Sequence, residues 1–229
     1  MDASSSRRAA AWAIHVLTAS GAVCGLLVLS AIADGQPRMV FVWMFAAVLV
    51  DAVDGYLARA VNVTAVTAGY DGVLLDNLVD YLTYAVVPAF LVLRLEVVPP
   101  SARAPAAFAI VLASAYQFGQ TDAKTRDHFF RGFPSYWNIA VFYLHYLALG
   151  ETVNLVVIAG LALGTFVPAK WVYPTRMARL RRSTLLLTMA WGVALAYVLL
   201  SQPIPVGVLR ASLAFVAYYV AVSIYLTRA

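Results

Sequence analysis

Four aspartates, Asp51, Asp54, Asp76 and Asp80, lie inside stretches that are otherwise apolar, and they constrain this chain more than any other feature. The segment from 51 to 80 reads DAVDGYLARAVNVTAVTAGYDGVLLDNLVD and carries five of the chain's eleven acidic residues. An ionised carboxylate at the centre of a membrane helix costs about 2.5–3.5 kcal/mol on insertion scales, so intramembrane acids point to function. Four of them within reach of one another repel unless a cation neutralises them. A metal site facing lipid-soluble chemistry is the expectation that follows.

The setting for those acids is a bilayer. Of 229 residues, 63% are hydrophobic and 12% charged, and the mean hydropathy of +0.82 excludes an ordinary soluble domain. The apolar runs are about twenty residues long, enough to cross a hydrocarbon core of about 30 Å. An all-α polytopic membrane protein is expected, with eight spans over 12–33, 38–61, 72–95, 103–122, 134–149, 152–171, 183–201 and 206–226. The fifth is short, and only Gly150 and Glu151 part it from the sixth; merging the two would leave seven. Gly35, Pro37, Pro99, Pro100, Pro174, Pro203 and Pro205 mark the other boundaries.

With eight spans, twelve of the sixteen Lys and Arg residues fall on one side. Only Arg38, Arg94, Arg103 and Arg210 fall on the other, so both termini are expected in the cytoplasm. The same loops explain the pI near 9.4 by proximity to anionic lipid, without a nucleic-acid partner. Arg7 and Arg8 before an apolar run, with Ala31-Ile32-Ala33 at its end, have the outline of a signal peptide. The run exceeds the usual apolar core of about 7–15 residues and carries His15, so an uncleaved first span is expected. The single cysteine, Cys24, lies in that span and excludes a disulfide or a thiolate metal site.

Helical spacing gathers the acids. Asp51, Asp54, Gly55 and Ala58 share one face of the second span, and Gly72, Asp76 and Asp80 recur at every fourth residue of the third. The connection between these spans makes them antiparallel neighbours, so the two faces converge. With a rise of about 1.5 Å per residue, Asp51 lies roughly 15 Å and Asp76 about 6 Å from the cytoplasmic ends of their helices. Oxygen-only ligands suit a hard divalent cation, Mg²⁺ or Mn²⁺, and four carboxylates can hold two such ions about 3.5–4 Å apart, as in displacement at phosphorus. Gly55 and Gly72 admit close approach of phosphates, and Arg59 can offer a fork of donors to them.

These residues resemble the CDP-alcohol phosphotransferase family, whose motif runs D-x2-D-G-x2-A-R, a spacer, then G-x3-D-x3-D. It stands here as Asp51, Asp54, Gly55, Ala58, Arg59, Gly72, Asp76 and Asp80, with every position filled. The spacer is four residues longer than in most of the family, about one helical turn, so the connection or the start of the third span must differ. The longer spacer is similar to the family's bacterial choline-accepting branch, as are HVLTASGAV, YDGVLLDNLVDYLTYAVVPA and KTRDHFFRGFPSYWN. The resemblance covers roughly 10–180 and implies a single catalytic domain with a six-helix core, often a homodimer, in the bacterial inner membrane. The spans near 183–226 would be an addition.

The resemblance further implies that Asp51, Asp54 and Asp76 bind two metals while Asp80 ligates one and serves as general base. Gly55, Ala58, Arg59 and Gly72 would line the CDP and diphosphate site. The reaction implied joins choline to the phosphatidyl group of CDP-diacylglycerol and releases CMP. A quaternary ammonium calls for aromatic faces, for which Tyr81, Tyr84, Tyr116, Phe118, Tyr136 and Trp137 are candidates, Tyr84 first because it is one turn past Asp80. In the loop TDAKTRDHFFRGFPSYWN, Lys124 or Arg131 could meet the lipid phosphate and Asp127 the choline, with Asn138 beside them; Arg126 reads as an ordinary loop charge. His15 reads as a polar contact between helices or, second, as a group approaching the nucleotide, and His128 and His145 carry no signal. Serine, glycerol phosphate or inositol phosphate are the alternative acceptors. A divalent-cation transporter is the remote alternative, disfavoured because the outer halves of the spans carry almost no ionisable groups.

Overall fold

The structure, a computed structural model, describes residues 5–228 apart from 126, 128 and 178. Arg126 and His128 therefore lie outside the described residues. The helices are α1 Ser5–Ala33, α2 Pro37–Val61, α3 Val63–Val66, α4 Gly72–Arg94, α5 Arg103–Gly119, α6 Trp137–Leu147, α7 Glu151–Phe166, α8 Arg181–Leu200 and α9 Val206–Arg228. The all-α polytopic architecture is as expected: α1, α2, α4, α8 and α9 are each long and apolar enough to cross a membrane. Large apolar side chains such as Val16, Leu26, Leu186, Met189 and Val193 point outward along them, as lipid-facing residues do.

Local signals place the helix ends. Gly35 takes a left-handed conformation (φ +65°) after α1, and Pro37 opens α2 where its missing N–H costs nothing. Asn62, also left-handed (φ 55°), ends α2 with its N–H on the carbonyls of Ala58 and Arg59. The connection then forms the single turn of α3. Its Val63 is buried against Ala11 and Ile14 of α1, and the following Thr67 meets His15 Nε2 at 2.9 Å. The extra helical turn expected between the motif halves is thus folded as a helix of its own, docked on α1. Asp71 caps α4 by accepting from the Leu74 N–H at 2.9 Å.

Helix α4 lies close on α1 because α1 is bare where they cross. A Cβ at Gly21 would come within 2.7 Å of Val79, and one at Gly25 within 3.1 Å of Leu82. Small residues four apart are a common way to bring two membrane helices together. Immediately beyond, residues Leu82–Val86 widen into a π turn, in which the Val87 N–H reaches back to the Leu82 carbonyl. Pro88 accounts for it: proline lacks the donor for, and its ring clashes with, the carbonyl four residues earlier. That carbonyl belongs to Tyr84, a residue of the candidate site.

Three expected spans are shorter than the sequence implies. The fourth ends at Gly119 after 17 helical residues. The fifth contains only 11 helical residues, Trp137–Leu147, and the sixth stops at Phe166. Before Trp137 the chain is held extended: Gly132 (φ +75°) donates to the Ala169 carbonyl at 2.8 Å, and Phe133 to the Gly164 carbonyl at 3.2 Å. A side chain at Gly132 would collide with the Thr165 carbonyl, so only glycine fits. Strand β1, Phe129–Arg131, pairs antiparallel with β2, Lys170–Val172, which removes 170 and 171 from the expected sixth span. Ala148 (φ 48°) and Gly150 (φ +99°) separate α6 from α7, so these are two helices and not one.

The far end of the bundle is tied by two polar side chains. Arg38, at the start of α2, donates to the carbonyls of Leu199 and Leu200, the orphan acceptors at the end of α8, at 2.9 and 2.7 Å. Asn154, buried in α7, donates to Val97 at 2.8 Å and Leu144 at 3.2 Å. Both contacts join segments that an eight-pass topology puts on the same side.

Candidate active site

Helices α2 and α4 bring three of the four aspartates together. One carboxylate oxygen from each of Asp51, Asp76 and Asp80 lies within 4.8 Å of the others. Asp76 and Asp80 are four residues apart, so only about 40° of helix separates them and both face Asp51. Asp54 is not in this group. It is three residues from Asp51, about 60° round the helix in the other sense, and that offset turns it towards α1. There it is 3% exposed and faces the hydroxyl of Thr18.

Around Asp51, Asp76 and Asp80, among the described residues, stand the hydroxyl of Tyr84 and the cations Lys124 and Arg59. Tyr84, 9% exposed, donates its hydroxyl to Asp51 Oδ2 at 2.7 Å. Lys124 and Arg59 are the positive charges that face Asp51 and Asp76. The Arg59 guanidinium folds back over Gly55, where a Cβ would be 3.3 Å from it. Gly72, at the start of α4, lies under the His15 ring, and a Cβ there would be 2.5 Å from Cε1. Ala58 is half-buried beside Val63 and Ile14. His15 Nε2 is tied to the Thr67 hydroxyl just after α3, and its ring also covers Gly72.

The loop candidates divide. Lys124 bridges to Phe130 and faces the acids. Arg131 pairs with Asp122, and its carbonyl accepts from Gln117 at 2.9 Å. The carboxylate of Asp127 is already engaged by Lys170 at 2.6 Å; that bond, with help from Thr125, holds its carboxyl below the usual carboxylate range. Asn138 accepts from the Ile139 N–H at 2.8 Å and borders an apolar pocket with Met44, Val48, Phe142 and Leu195.

Most of the aromatic candidates serve packing. Tyr81 donates to the Val111 carbonyl at 3.2 Å and meets Phe118 edge-on. Tyr116 packs on Phe166, and fully buried Trp137 donates to Ser114 at 2.9 Å. His145 packs with Phe41 and Tyr146, the three rings in mutual contact. Tyr84 and Tyr136 remain beside the acids, their ring centroids 6.4 Å apart. The sequence reading missed Thr18, Phe130, Tyr173 and Tyr219, which come from elements far from the motif. Phe130 lies within the segment KTRDHFFRGFPSYWN that carries the resemblance, whereas for Tyr173 and Tyr219 aromatic type in a basic loop and a terminal helix was the only signal.

No family model matches the chain. Among curated proteins it is 47% identical over 180 residues to the phosphatidylcholine synthase of Legionella pneumophila, across 77% of this chain and 70% of that one. It is 32% identical over 220 residues to the phosphatidylcholine synthase of Borreliella burgdorferi, across 95% and 94%. The corresponding protein of Pseudomonas aeruginosa gives 32% over 219 residues, 95% and 92%. At such coverage the likeness runs into α8 and α9, past the part of the chain that the motif resemblance spans. The chain belongs to the phosphatidylcholine synthase family, enzymes of the CDP-alcohol phosphotransferase type.

Proposed function

We propose that this protein transfers the phosphatidyl group of CDP-diacylglycerol to choline, giving phosphatidylcholine and CMP. One observation carries the reading: carboxylate oxygens of Asp51, Asp76 and Asp80 lie within 4.8 Å of one another amid apolar helices. The donor set is all oxygen and strongly anionic, which fits hard divalent cations. Asp51, Asp54, Asp76 and Asp80 would hold two of them, Mn²⁺ or Mg²⁺. When bound, such ions would neutralise the diphosphate of the substrate and stabilise the CMP leaving group.

The residues of the chain do the rest. Arg59 and Lys124 attract the diphosphate and lipid phosphate, with Arg131 at the rim, and Gly55, Ala58 and Gly72 leave room for the nucleotide. Asp80 takes the proton of the choline hydroxyl as that oxygen bonds to the lipid-linked phosphorus and the bond to CMP breaks. Most of the acceleration comes from holding the two substrates in line. Asp127 stands in the loop through which choline would enter, and Asn138 follows that loop in the first turn of α6. The site opens to the cytoplasm of a bacterial inner membrane, where CMP and choline are soluble, with both termini on that side. The catalytic domain is the whole chain, its core near 10–180, and two copies form a homodimer.

Purified protein with CDP-diacylglycerol and Mn²⁺ should label lipid from radioactive choline, and serine or glycerol phosphate should serve poorly in parallel. Label from serine alone would transfer the reading to another acceptor, and no label from any acceptor would end it.

A further inference from the structure

A cluster of aromatic rings adjoins the acids and is not used by the chemistry described above. It begins at Tyr84, whose hydroxyl is on Asp51. Tyr136 follows, with its centroid 6.1 Å from Phe130 at 82° and 6.3 Å from Tyr219 at 63°. Rings at such angles form walls and corners, not a stack. Phe130, Tyr136 and Tyr219 are each only partly buried.

The walls are held from behind. Trp171 stacks on Tyr219 at 5.9 Å and 18°, and the Tyr219 hydroxyl donates to the Val172 carbonyl at 3.0 Å. Tyr173 backs Phe130 at 4.6 Å and carries Arg176 over its own ring, so it is a support and not a wall. Tyr219 comes from α9 and Phe130 from β1, which gives the ribbon and the last helix a place in the site.

The geometry points to a quaternary-ammonium subsite lined by Tyr84, Phe130, Tyr136 and Tyr219. This rests on the proposed transfer to choline and names what selects that alcohol. The ammonium of choline is two methylene groups from the hydroxyl, so when the hydroxyl is at Asp80 the cation must lie beside the acids. It has no N–H to donate, and π faces with Asp51 nearby give it attraction without hydrogen bonds.

The test compares choline with its uncharged isostere, 3,3-dimethyl-1-butanol, as acceptors for the purified full-length protein. Wild type should prefer choline at least about tenfold in kcat/KM, as a desolvated cation–π site allows. Tyr219→Leu and Phe130→Leu should each reduce that preference about tenfold, through a higher KM for choline, with the KM for CDP-diacylglycerol within about twofold. Tyr219→Phe keeps the ring and should keep the preference. Undiminished preference in both leucine variants, or its loss in Tyr219→Phe, overturns the subsite alone. Absence of choline turnover in wild type overturns the proposed transfer instead. If the leucine variants do not fold, tetramethylammonium decides on wild type: inhibition competitive with choline supports the subsite, and no inhibition overturns it.

Discussion

Replacing Tyr84 by phenylalanine removes one hydroxyl and leaves the buried ring where it is. The hydroxyl donates at 2.7 Å to Asp51 Oδ2, from a residue 9% exposed, so no solvent stands ready to replace it. A hydrogen bond to a charged group contributes about 1.5–3 kcal/mol net. At 1.4 kcal/mol per factor of ten, that is about 10- to 150-fold, in line with the 10–100-fold lost when a group supporting a metal ligand is removed. The loss should fall on the cation, because Tyr84 orients a carboxylate that would ligate it. Initial rates of CMP release, measured against Mn²⁺ at saturating CDP-diacylglycerol and choline, should show the half-saturating Mn²⁺ rising by about that factor. High Mn²⁺ should restore much of kcat, and the KM for choline should change by less than about twofold, since the π face is kept. An unchanged Mn²⁺ dependence would refute the assignment of Tyr84 to Asp51 support.

Asp80→Asn keeps the shape of the side chain and removes the proton acceptor; turnover should fall by at least about 10²–10⁴-fold, with unchanged elution as folded protein. Arg38→Met should strip two hydrogen bonds from the end of α8 and lower stability by about 1–3 kcal/mol, read as a lower melting temperature in detergent. Gly132→Ala meets both a positive φ and the Thr165 carbonyl, so it should release the ribbon from α7 and expose the 129–133 amides to hydrogen exchange. The lowered Asp127 pKa stabilises the fold above the ordinary Asp range, and the contribution is lost as pH falls through the lowered value. Melting temperatures of wild type and Asp127→Asn should therefore converge in acid, below about pH 4, from a small difference at neutrality; divergence in acid would contradict the Lys170 pairing.

The sequence was most legible where local rules decide. Hydropathy located the helices, and Gly35, Pro37 and Asn62 stand at their ends. The repeat of four between Asp76 and Asp80 foretold their shared face. The spacing of three between Asp51 and Asp54 was less decisive, because a 60° offset joins or separates two carboxylates according to the neighbouring helices, and α1 with Thr18 captured Asp54. The extra turn in the spacer was visible as a length, but its docking as α3 depends on Val63 finding Ala11 and Ile14. Pro88 signalled a disturbed helix without saying that a π turn would absorb it. The β1–β2 ribbon and the ring of Tyr219 were hidden for a different reason: their partners are about forty or more residues apart, and no local pattern records such pairings.

The central claim is that the acid cluster holds a pair of divalent cations on which phosphatidyl transfer depends. Mn²⁺ binding to the purified, metal-stripped protein, followed by electron paramagnetic resonance, tests it directly. Two Mn²⁺ per chain with a spin-coupled signal, as expected of ions about 3.5–4 Å apart, is the predicted result, with the coupling lost in Asp76→Asn. Wild type that binds no Mn²⁺, or binding and coupling unaffected by Asp76→Asn, would contradict it.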